Sequence, residues 1–130
     1  MKAYISVSFS KRKRLDKEIL AIRECLSSLG INSLIFVDNY RFAANEEKEM
    51  MKQAMEDIDK CDFLIAEVSD KGIGIGIEAG YAKAKGKPVI YLRHVDAEHS
   101  TTVSGISDFS IIYSDSGDLK TRLLEVVKNF

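Results

Sequence analysis

At 130 residues, with 45% hydrophobic and 30% charged content, the chain has the size and composition of one soluble globular domain, residues 1–130. Its 19 basic and 20 acidic residues leave a net charge of −1, which offers no broad attraction for a nucleic acid polymer or an anionic membrane. No apolar run approaches the roughly 18 residues of a membrane span, and the N-terminus lacks a secretory apolar core, so a cytoplasmic protein is expected.

The chain opens with KAYISVS, residues 2–8, whose alternation predicts a first strand ending near Ser8. Ser10 is placed to cap a helix from Lys11 to Leu29, with Ile19, Ile22, Leu26 and Leu29 on one stripe and Gly30 as its stop. The run Lys11-Arg12-Lys13-Arg14 is followed by Asp16 and Glu18 and reads as the solvated start of that helix, with one cation free for a phosphate on a small ligand. SLIFV, residues 33–37, is a second strand, and Asn45 followed by Glu46 and Glu47 predicts a capped helix running to Lys60. Asp62–Val68 is the third strand, carrying the continuous apolar run Phe63-Leu64-Ile65-Ala66. Gly72, Gly74 and Gly76 then alternate with isoleucines in a predicted loop, and a helix from Ile77 to Gly86 places Glu78 in its first turn. Pro88 starts a fourth strand, PVIYL. A polar loop over 93–107 leads to a fifth strand, FSIIY, and Asp115 or Ser116 opens the last helix.

Strands alternating with helices predict an α/β fold: a flavodoxin-like, Rossmann-like parallel sheet of five strands in the order 2-1-3-4-5, with helices on both faces. Its switch point between strands one and three brings the loops 6–11 and 69–78 to one crevice. Tyr4, Ser6, Ser8, Ser10, Glu78 and the glycine amides meet there, a set of hydroxyls and N–H groups suited to a sugar or sugar phosphate. The glycines do not form G-x-G-x-x-G, since Ala79 stands where the last glycine belongs, and no phosphate-loop motif is present. His94 and His99 lack a third ligand at metal spacing, and Cys25 and Cys61 fit no paired motif, so no metal or cofactor is expected. Taken alone, Glu78 suits either a helix-start acid or a catalyst.

The stretch AEVSDKGIGIGIEAGYAKAKGKPVIYL, residues 66–92, resembles the nucleoside 2-deoxyribosyltransferase family, most closely its 2'-deoxynucleoside 5'-phosphate N-hydrolase branch. The resemblance implies that Glu78 is the nucleophile and that Tyr4 orients it. It further implies that Ser8 binds the 5'-phosphate, that Gly74 and Gly76 are loop glycines, and that Ser100 reaches the phosphate site of a partner subunit in a homodimer. Two positions depart from the family pattern. Ala54 stands where an aspartate meets the leaving base, with Asp57 one turn on as a substitute, and Gly72 replaces a phosphate-binding serine. The implied activity is cleavage of the base–sugar bond of 2'-deoxynucleoside 5'-monophosphates. Base exchange between nucleosides and a nucleotide-binding module without turnover are the alternatives.

Overall fold

Tyr4 and Ser6 alternate with Ala3 and Ile5 along β1 (Lys2–Ser6), so the strand turns polar side chains to one face and aliphatic ones to the other. The computed structural model, which describes all 130 residues, places β1 between β2 (Asn32–Ile35) and β3 (Phe63–Glu67). With β4 (Val89–His94) and β5 (Phe109–Tyr113) they form one parallel sheet in the expected order β2-β1-β3-β4-β5. β3 is buried at every position, as a central strand covered on both faces requires.

Six helices accompany the strands: α1 (Asp16–Ser28), α2 (Phe36–Asn39), α3 (Glu47–Asp59), α4 (Ile73–Ala84), α5 (Thr101–Ile106) and α6 (Ser116–Val127). One face of the sheet packs Ile5, Phe63 and Ile65 against Ile22 and Leu26 of α1 and Leu119 and Leu123 of α6. The other packs Tyr4, Leu64 and Ala66 against Ala54 and Ile58 of α3 and Ile75 and Ala79 of α4. Asp115 caps α6 by accepting from the Asp118 N–H at 2.8 Å, and Gly30, at φ 71°, turns the chain out of α1. No helix is long and apolar enough to cross a membrane. Both cysteines are free and buried, and desolvation holds the Cys61 thiol up at about 11, well away from thiolate chemistry.

Several local expectations are corrected. β1 ends at Ser6, and a 3₁₀ turn over Arg12–Leu15 precedes α1, so Ser10 caps neither; its hydroxyl lies 3.4 Å from that of Ser8. Arg12 explains the tight turn, because its guanidinium is drawn onto Asp38 at 2.8 and 2.9 Å and onto Asp16 at 2.7 Å. β2 gives way after Ile35 to the single-turn α2, where Phe36 is buried among aromatics. Asn45 does not cap α3; Glu46 occupies that position and its carboxylate accepts from the Ala43 N–H at 2.8 Å. The 93–107 segment contains α5.

The correction that matters most for the site is at α4. The helix begins at Ile73, four residues before the expected start, with Gly72 extended at its N-terminal boundary. The glycines form no loop: Gly74 and Gly76 are helical, and Glu78 lies in the second turn. Ile75, Ala79 and Ala82, at helical spacing, bury one side of the segment and outweigh the poor helix propensity of glycine.

Candidate active site

Tyr4 and Ser6 point to the same face of β1 because they are two residues apart, and both reach Glu78 on α4. The Ser6 hydroxyl donates to Oε1 at 2.7 Å, and the fully buried Tyr4 phenol donates to Oε2. Burial raises the Glu78 pKa, while the Tyr4 and Ser6 hydrogen bonds pull it back down. With Glu78 in the second turn of α4 and away from the helix terminus, it is the β1 hydroxyls, acting against desolvation, that favour the ionised form. Burial first, and then the facing Glu78 carboxylate, drive the Tyr4 pKa far up, so Tyr4 stays protonated as a donor.

Glu78 stands on the wall of a cavity of about 710 Å³ at the carboxyl ends of β1, β2 and β3. Ser8, Ser10, Gly72 and Gly74 share that wall, so the expected crevice brings these residues together. Gly74 on this wall has open space where a Cβ would stand; so has Gly76, which faces a neighbouring depression and not this cavity. Ala54 lines the cavity. Asp57 does not: it is buried, its Oδ1 accepts from Gln53 at 3.0 Å, and its Oδ2 has no hydrogen-bond partner.

The residues that sequence reasoning missed are aromatic. Phe36, Tyr40 and Phe42 form one cluster on the cavity wall, with ring centroids 4.9 Å apart for Phe36–Tyr40 and 6.1 Å for the stacked Phe36–Phe42 pair. Met50 and Met51 of α3 complete an apolar end suited to a planar ring. The period of the SLIFV strand hides this cluster, because α2 interrupts it and redirects Phe36. Arg41 and Lys71 also line the cavity and supply positive charge.

Ser100 lies elsewhere in the chain's own fold. It stands at the N-terminal boundary of α5, where its N–H donates to the buried Tyr91 hydroxyl at 3.0 Å. With Gly72, Ile73 and Gly76 it lines a neighbouring depression of about 410 Å³, which shares Lys71, Gly72, Ile73 and Ile75 with the cavity holding Glu78; Ser100 itself does not line that cavity. No group of three or more His, Cys, Asp or Glu side chains could hold a metal ion.

The nucleoside 2-deoxyribosyltransferase family model matches residues 6–120, a stretch that includes Ser6, the glycines and Glu78. The chain belongs to this family. A candidate 2'-deoxynucleoside 5'-phosphate N-hydrolase from Syntrophotalea carbinolica is 43% identical over 61 residues, which span 45% of this chain and 43% of that relative. Among solved structures, a CMP N-glycosidase from Clostridium botulinum superposes with a TM-score of 0.72 at 20% identity, covering 98% of this chain and 100% of the other. A 2-deoxyribosyltransferase from Bacillus psychrosaccharolyticus gives 0.71 at 18% identity, covering 92% and 90%. At such identities these two share the fold. The matched stretch spans less than half the length of the Syntrophotalea relative.

Proposed function

We propose that the protein hydrolyses the base–sugar bond of 2'-deoxynucleoside 5'-monophosphates with Glu78 as nucleophile. The observation that carries this reading is the Glu78 carboxylate held on both oxygens by Tyr4 and Ser6 at the wall of a nucleotide-sized cavity. The apolar end made by Phe36, Tyr40, Phe42 and Met50 takes the base. Ser8, Ser10 and the backbone N–H groups at the start of α4 take the 5'-phosphate.

In this arrangement C1' lies over Glu78. As the base departs with the bonding electron pair, positive charge grows on the sugar, and the carboxylate captures it as a glycosyl ester. Water then cleaves the ester, its hydroxyl going to C1' and its proton to the departed base, which frees the Glu78 carboxylate and releases deoxyribose 5-phosphate. A leaving base receives no proton from position 54, where Ala54 offers none, and Asp57 is off the cavity wall. A homodimer with shared sites is part of the reading. Ile73 is 85% exposed and Ile77 46% exposed on α4, an apolar side left uncovered beside the depression that holds Ser100.

The test is base release from a panel of deoxynucleoside monophosphates by the purified protein and by Glu78→Gln. Release by the wild type alone supports the reading, and equal release by both, or none, refutes it. Ala54 on the cavity wall favours a second reading, a nucleotide-binding module without turnover, which predicts thermal stabilisation by the same nucleotides and no free base. Supplying a second base with an unphosphorylated nucleoside separates hydrolysis from exchange.

A further inference from the structure

The run Lys11-Arg12-Lys13-Arg14 does not enter a helix face as expected; the 3₁₀ turn gathers it around a second depression of about 530 Å³. Five of the ten residues that line it are cationic, Arg41 being the fifth, against two carboxylates, Asp16 and Asp38. In a chain of net charge −1 this is a local concentration of positive charge. Both carboxylates are already engaged by Arg12, which clamps the β1 loop to the segment after β2. Arg14 pairs with Asp70 at 3.4 Å. Lys11, Lys13 and Arg41 have no acidic partner within 4.0 Å, and no hydrogen bond of theirs compensates for their mutual repulsion.

This depression adjoins the cavity that holds Glu78. Phe9, Ser10, Val37 and Arg41 belong to both walls. A ligand whose 5'-phosphate meets Ser8 and Ser10 has the unpaired Lys11 and Lys13 next along the same loop and Arg41 on the same wall, and what they suit is further phosphate. Resting on the nucleotide reading above, we infer that the cavity accepts nucleoside 5'-polyphosphates, di- or triphosphates, with the phosphates beyond the first held by Lys11, Lys13 and Arg41. The base and sugar keep their places, so Glu78 faces C1' whatever the length of the chain. Monophosphate recognition involves neither Lys11 nor Lys13.

The experiment compares deoxynucleoside monophosphates and triphosphates of one base, together with inorganic tripolyphosphate and orthophosphate, by calorimetry and by base release. It uses the wild type and Lys11→Ala/Lys13→Ala. The expected result is that triphosphate binds about tenfold more tightly than monophosphate at low salt, as one or two charge-assisted contacts provide. That advantage shrinks as salt is added and falls in the double variant to what Arg41 alone supplies, while monophosphate binds as it does to the wild type. Equal affinities, or a double variant that weakens both nucleotides alike, overturn the inference. The two readings fail separately. Glu78-dependent base release from monophosphates without preferential triphosphate or tripolyphosphate binding refutes the extension and leaves the glycosidase standing. Lysine-dependent tripolyphosphate and triphosphate binding without base release from any nucleotide refutes the glycosidase and leaves the polyphosphate site.

Discussion

Tyr4 and Glu78, 74 residues apart in sequence, are joined by a hydrogen bond from the phenol to the carboxylate, made between the middle of β1 and the second turn of α4. The bond opposes the desolvation that raises the Glu78 pKa. Tyr4→Phe removes the donor and keeps the ring, so the Glu78 pKa moves higher still and less of the carboxylate is ionised at a given acidic pH. The acidic limb of the pH–rate profile for base release should move to higher pH. The rate at neutral pH should fall by about tenfold, the cost of one hydrogen bond to a charged group. A lower rate with an unmoved limb would show that Tyr4 does not act through Glu78.

On the opposite face of the sheet a second carboxylate repeats the pairing. Glu67 is fully buried, and its oxygens accept from the Tyr113 hydroxyl and the Ser69 N–H. Burial raises its pKa above the unfolded value, and these hydrogen bonds offset only part of the shift. The folded state therefore binds more protons than the unfolded chain as pH rises from about 4.3, the ordinary glutamate value, towards the raised folded value. Stability is lost across that window. Glu67→Gln cannot ionise, so the urea midpoint should fall less steeply with pH in the variant than in the wild type. The slope is the readout, because the amide also changes the hydrogen bonds at every pH. Glu78 shifts in the same direction, and adding Glu78→Gln should flatten the profile further.

Ala54 is buried in the α3 layer and lines the cavity, at the position where the family resemblance implies an aspartate. Ala54→Asp places a carboxyl group beside the base pocket. If protonation of the departing base limits the wild type, the variant should release base faster by about a hundredfold, the low end of general acid catalysis. It should also melt at a lower temperature, because a carboxyl enters an apolar wall. Unchanged release with the expected loss of stability would mean that the base leaves without help from this side of the pocket.

The strand order and the meeting of Tyr4, Ser8 and Glu78 were legible because each strand is a short alternating or apolar run, and parallel connection leaves few ways to order them. The start of α4 was not. Gly72 to Ile77 alternates with period two, which imitates a loop or strand, and only the spacing of Ile75, Ala79 and Ala82 betrays the helix. The aromatic pocket was hidden for a related reason, since Phe36 continues the apolar pattern of β2 while its backbone has already turned into α2. The basic run read as a helix start because Asp16 and Glu18 follow it closely and make the segment a solvated charged face. The pairing of Arg12 with Asp38, 26 residues away, is a tertiary contact that no local pattern encodes.

Ser100 is 9% exposed and stands outside the cavity of its own chain, on the wall of a depression that it shares with the uncovered α4 residue Ile73. If a partner's Ser100 completes the phosphate site, Glu78 and Ser100 act from different subunits, and this predicts complementation. Glu78→Gln dimers should be inactive. Ser100→Ala dimers should have a raised KM for monophosphates, by about tenfold, the cost of one hydrogen bond to an anion. When equal amounts of the two are dissociated and mixed, half the dimers pair one of each. In those dimers the intact Glu78 faces the intact Ser100 at one of two sites. About a quarter of all sites should then show the wild-type KM, as twofold symmetry requires. Turnover at substrate concentrations below the raised KM measures this directly. Activity that stays at the average of the two parents would place Ser100 with its own chain's Glu78 or outside the reaction altogether.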